Sequence, residues 1–92
     1  MKLTRSQKIA LIALFQGSEI RYRQDGCDMG QYELARDDYW RRTSKSVLEA
    51  LRLNGFVEQV ATRVYEISDA GREYCFTDKW IADQLDRQED VF

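Results

Sequence analysis

Apolar and polar residues change their spacing several times along this chain, and each change marks an element. Ile9, Leu11, Ile12, Leu14 and Phe15 crowd into seven positions, too many for one narrow stripe. The spacing predicts a deeply buried helix over Arg5–Gln16. Thr4 stands at its N-cap, Gln7 is placed to close a capping box, and Gly17 is placed to stop it. From Glu19 to Gly26 isoleucine and tyrosine alternate with charged residues, the period of a half-buried strand, with Asp25-Gly26 as a turn. A second helix is expected over Met29–Trp40, capped by Asp28 with Gln31 as reciprocal partner and facing inward through Tyr32, Leu34, Ala35, Tyr39 and Trp40.

The run TSKSVLEALRLNGFVEQVATRVYEISDAGREY, Thr43 to Tyr74, is the most informative stretch. A helix is expected over Ser44–Asn54, capped by Thr43 and closed by Gly55 in the left-handed conformation. Strands follow at Phe56–Val60 and Arg63–Ile67, separated only by Ala61-Thr62. A turn that short normally wants glycine or asparagine, so a bulge is expected to offset the pairing. Ser68 caps a last helix reaching to about Glu89, with Ala70, Tyr74, Trp80, Ile81 and Leu85 along one side. Only its first turns should find room on so small a core. The expected division is therefore a domain over 1–75 and a C-terminal helical extension over 76–92 that seeks a partner.

Composition narrows the chemistry. With 92 residues, 43% of them apolar, and no proline, the chain is sized for one core. It has no histidine, and Cys27 and Cys75 lie far apart. Zinc sites and Ser-His or Cys-His nucleophiles are therefore not expected, and neither is any metal, cofactor or enzymatic activity. Asp37-Asp38 are neighbours that a helix would not converge on one substrate. The cysteines read as reduced thiols, with a Cys27–Cys75 disulfide or a redox switch as the alternatives. Lys2, Arg5 and Lys8 precede an apolar run too short for a membrane span, and no A-x-A site follows, so the expected location is cytoplasmic.

The net charge of −2 is unevenly spread. Residues 41–63 carry five bases against two acids, while residues 64–92 carry three bases against eight acids. A local basic footprint matters more than the total, because phosphate contacts are short-ranged and screened. If Val47, Leu48 and Leu51 point inward, the third helix presents Arg42, Lys45, Ser46, Glu49 and Leu53 outward, with Arg52 on its flank. Arginine or lysine suits a guanine edge, Glu49 a cytosine amino group, and Thr43 or Ser44 a phosphate at the helix start. The alternative is that these are ordinary solvated charges. Trp40 and Trp80 read as core or interface residues. Tyr22, Tyr32, Tyr39, Tyr65 and Tyr74 are not expected to form a strand-borne stacking set.

Within Thr43–Tyr74, the residues Leu51, Gly55, Phe56, Val57, Tyr65, Ser68, Ala70, Gly71 and Arg72 resemble the pattern of winged-helix transcription regulators of the MarR and PadR kind. The resemblance implies an α+β, mostly α fold. That fold is a winged helix-turn-helix with a three-helix core, a short β-hairpin wing and a C-terminal helix. It implies a small cytoplasmic regulator of the bacterial or phage kind that reads double-stranded DNA as a homodimer paired through its C-terminal helix. Arg41, Arg42, Thr43, Ser44, Lys45, Ser46, Glu49 and Arg52 would carry the contacts, joined by Arg63 from the wing. The competing expectation is a winged helix that binds a protein partner and no DNA, favoured by Glu49 and Leu53 on the same face.

Overall fold

A computed structural model describes residues 3–23, 31–36 and 39–87. The order of elements is α1 (Arg5–Phe15), β1 (Glu19–Arg23), β2 (Gln31–Arg36), β3 (Tyr39–Thr43), α2 (Lys45–Leu53), β4 (Val57–Ala61), β5 (Val64–Ile67), α3 (Asp69–Thr77) and α4 (Lys79–Asp86). The strands form one five-stranded sheet in the order β3-β2-β1-β5-β4, with every neighbouring pair antiparallel.

This overturns the expected three-helix core with a short wing. Where a second helix was expected over Met29–Trp40, the described residues form β2 and β3; Asp28 and the start of that segment lie outside the described residues, as do the Asp25-Gly26 turn, Cys27 and Asp37-Asp38. The apolar positions there suit either period. Tyr32, Ala35 and Tyr39 fit a helical stripe, while Tyr32 and Leu34 alternate with Glu33 as in a strand. Pairing decides it: β2 meets β1 over five residue pairs, from Glu19↔Ala35 to Arg23↔Gln31, and β3 over five more. These ladders satisfy backbone groups on both sides of β2, which a local propensity cannot match. The β4–β5 hairpin is accordingly the flank of a larger sheet and not a free-standing wing.

The local signals elsewhere are realised in detail. Thr4 Oγ1 accepts the Gln7 N–H at 3.3 Å and Gln7 Oε1 accepts the Thr4 N–H at 2.9 Å, closing the box that starts α1. At its end Gly17 (φ +109°) donates to Leu14 and Ser18 donates to Ala13, two carbonyls left free by the helix. The end of α2 repeats this arrangement, with Gly55 (φ +74°) donating to Arg52 and Phe56 to Leu51. The cap of α2 is Ser44, one residue later than expected.

The core lies between α1 and one face of the sheet. Ala10 to Leu14 are all buried, and they meet Ile20, Leu34, Leu48, Leu51, Val57 and Ile67 in a single cluster. Gly71 brings α3 hard against the entry to β4: a Cβ there would collide with the Phe56 carbonyl oxygen and lie 2.8 Å from Ile67 Cγ1. Ser68 fixes the same junction, donating its hydroxyl to the Gly55 carbonyl at 2.5 Å and accepting the Gly71 N–H at 3.1 Å.

The single long C-terminal helix is also corrected. Asp78 ends α3 and begins α4, with an extended backbone at φ −85°, ψ 114°. Its Oδ1 accepts the Ile81 N–H at 3.0 Å, while Oδ2 meets Lys8 Nζ at 3.0 Å and accepts the Tyr74 hydroxyl at 3.1 Å. An aspartate offering its side chain to a new helix start competes with the continuation of the old one. The resulting bend turns Ile81, fully buried, into the same core, with Trp80 and Leu85 packed against it. Among the described residues no helix is long and apolar enough to cross a membrane.

Candidate nucleic-acid interface

Along the helix-facing side of the sheet, α1 covers one end of the strands and leaves the other open. Beyond Ile20 and Leu34 the next residues on that face are Tyr22 and Tyr32, direct partners across β1 and β2. Tyr65 stands beside Ile20 on β5, and Gln59 beside Tyr65 on β4. Their rings form the floor of a cavity of about 800 Å³. Tyr22 and Tyr32 meet edge to face with centroids 5.0 Å apart.

The walls come from two other places. The end of β3 and the start of α2 supply Arg42, Thr43, Ser44 and Lys45, and the β4–β5 turn supplies Thr62 and Arg63. Gln31 and Gln59 complete the lining, and among the described residues no carboxylate belongs to it. The N-terminus of α2 also opens here, adding the positive end of a helix dipole.

Arg63 is held in an unusual way. β4 and β5 pair Ala61 with Val64 and Gln59 with Tyr65, so Val60 is the extra residue of a bulge and Thr62-Arg63 form the turn. The bulge matches expectation; the turn lies one residue later. Arg63 takes φ +63°, the one positive φ among the described non-glycine residues. That backbone costs an L-residue about 1–2 kcal/mol. Two contacts hold it there: its carbonyl accepts the Tyr22 N–H at 2.9 Å, and its guanidinium carbon lies 5.2 Å from the centre of the Tyr22 ring. The cation is thereby fixed above the floor of the cavity.

The nine residues singled out from the sequence separate into groups. Thr43, Ser44, Lys45 and Arg63 converge on the cavity, whereas Arg42 borders it from β3 with its place in register on the opposite face, beside Glu33. Arg41 lines a neighbouring cleft of about 250 Å³ between α1 and β3. Ser46 hydrogen-bonds Ser44 at 3.0 Å between hydroxyl oxygens. Glu49 and Arg52 stay exposed along α2 and do not line the cavity. Arg41 and Arg42 sit within β3 and not in a turn between two helices, so no helix-turn-helix precedes α2. Arg42 is paired in register with the buried Glu33, which also faces Arg21. Among the described residues neither Lys45 nor Arg63 makes an ion pair.

Sequence reasoning missed the tyrosines. Tyr22, Tyr32 and Tyr65 lie far apart in sequence but occupy one face of three adjacent strands, contrary to the expectation that no such set forms. The period-two spacing of Ile20/Tyr22 and Tyr32/Leu34 was the available signal. Cys75 is a free, buried thiol, and burial pushes it up to about 11, which keeps it protonated and unreactive near neutrality.

In comparisons with known proteins, the chain matches no family model, no curated protein and no solved structure.

Proposed function

We propose that this chain binds nucleic acid, with the tyrosine-floored cavity and the start of α2 as the contact surface. One observation carries the reading. In a chain of net charge −2, Lys45 from the start of α2 and Arg63 from the β4–β5 turn come to a single cavity whose lining, among the described residues, holds no acid. Phosphates supply the matching charge, and the tyrosines supply apolar area beside it. A role in regulating transcription from the cytoplasm, as a homodimer with two such surfaces, is the use of this surface we favour; two joined sites multiply weak individual contacts.

The test is fluorescence anisotropy of labelled nucleic acid at about 50 and about 200 mM salt. Binding should weaken steeply with salt, and Lys45→Ala should lower affinity and flatten the salt slope by about one unit. No binding at the lower salt sinks the reading.

A second reading rests on Leu53, which is 80% exposed on α2 beside Glu49 and Arg52. An apolar residue so placed suits a protein partner better than a phosphate backbone. In that case Leu53→Asp abolishes partner binding and Lys45→Ala leaves it intact.

A further inference from the structure

We infer that the cavity takes an unpaired nucleobase, so that the favoured ligand is a single-stranded stretch of nucleic acid and not an intact duplex. This rests on the nucleic-acid reading above and specifies which form of the polymer is bound.

The reason is where the aromatic groups sit. Tyr22, Tyr32 and Tyr65 are at the floor, half-buried, while Lys45 and Arg63 stand exposed at the walls. A duplex presents phosphates outward and keeps its bases stacked inside, so it can meet the walls but not the floor. An unpaired base can rotate away from its backbone and enter, leaving its phosphates on the cations. A volume of about 800 Å³ falls in the range of sites that enclose a small molecule.

The stacking surface is partly built. The Arg63 guanidinium already lies over Tyr22, and a planar guanidinium stacks on a base as an aromatic ring does while carrying a charge for the phosphate. Gln31 and Gln59 each offer a donor and an acceptor, so base edges of different patterns find partners. The chemistry thus favours a base and its phosphate over a particular sequence.

The experiment compares four labelled probes on the full chain by anisotropy: a single strand of about ten nucleotides in deoxy form, the same in ribo form, the matching duplex, and an abasic phosphodiester of equal length. Either single strand should bind roughly tenfold tighter than the duplex and the abasic chain. Tyr22→Leu, which keeps apolar bulk, should remove most of that advantage, while Lys45→Ala weakens all probes alike. Should Tyr22→Leu lose its fold by circular dichroism, the abasic probe on the unaltered protein decides instead. A duplex bound as tightly as the single strands, or an abasic chain bound equally well, overturns the inference and leaves the nucleic-acid reading standing. Absence of binding to every probe overturns both.

Discussion

The two ends of one sheet face differ by a step of two residues on each strand. Ile20, Leu34, Val57 and Ile67 lie under the helical layer and are sealed from water. Two residues along the same strands stand Tyr22, Tyr32, Gln59 and Tyr65, facing an open cavity. The strand period puts both sets on the same side, so the backbone treats them identically. What separates them is the reach of the helical layer and the chemistry of the side chain at its limit. Where α1 ends, aliphatic residues give way to tyrosines and amides, which tolerate water and still pack at their inner edges. The open face built this way rests directly on the core, with Tyr32 and Tyr65 packed against it.

Breaking the sealed end should have the largest effect. Ile20→Ala removes a fully buried side chain from the middle strand, and a loss of about 2–5 kcal/mol in chemical denaturation is expected. A loss below about 1 kcal/mol would mean that this end is not the tighter of the two. Gly71→Ala attacks the same end from the helical side, driving α3 off the Phe56 carbonyl. A cost of about 1–3 kcal/mol is expected, read as a lowered Tm with the sheet signal retained below it.

The Asp78 joint ties α1 to the α3–α4 bend and gives the sealed end a pH dependence. Burial pushes its carboxyl up, but the Ile81 N–H, the Lys8 ammonium and the Tyr74 hydroxyl outweigh this and hold it below the usual carboxylate value. A group with a lowered folded pKa stabilises the fold fully above its unfolded value of about 3.9 and loses that contribution as pH falls through the folded value. Asp78→Ala should cost about 0.5–2 kcal/mol at neutral pH through the lost cap. Asp78→Asn keeps the cap and should flatten stability against pH below about 4. An unchanged acid limb in that variant would remove Asp78 from the account.

The smallest effect on stability sharpens the open end. Arg63→Gly relieves a left-handed backbone worth about 1 kcal/mol and adds comparable freedom to the unfolded chain, so Tm should stay level or rise slightly. Nucleic-acid affinity should fall, because the cation over Tyr22 is gone. A clear loss of Tm would show that the Arg63–Tyr22 contact stabilises the fold more than the backbone strains it.

What could be read from the chain follows the range of the interactions concerned. The boxes and caps at Thr4, Gly17, Gly55 and Ser68 act within a few residues, so their residues announce them, and the hairpin bulge followed from a turn lacking glycine. The β2–β3 region was misread because its apolar spacing suits both periods and its partners, β1 above all, lie elsewhere in the chain. The Asp78 break was hidden among the acids of the C-terminal segment, where several aspartates could serve as a cap and the one chosen also meets Lys8, seventy positions earlier. Half of the site was visible for the same reason: Arg42 to Lys45 are contiguous, whereas the tyrosine floor exists only once three strands are in register.

The extra residue Val60 reaches beyond the hairpin it distorts. β4 is one edge of the open sheet, and a bare edge is a template on which further chains can polymerise. With Val60 pushed out of register and Glu58 exposed beside it, an incoming strand can match only a short run before its ladder fails. The opposite edge, β3, carries Arg41 and Arg42 in consecutive positions, so like charges would meet in any copy laid alongside. Both margins thus disfavour fibril-like growth by added strands.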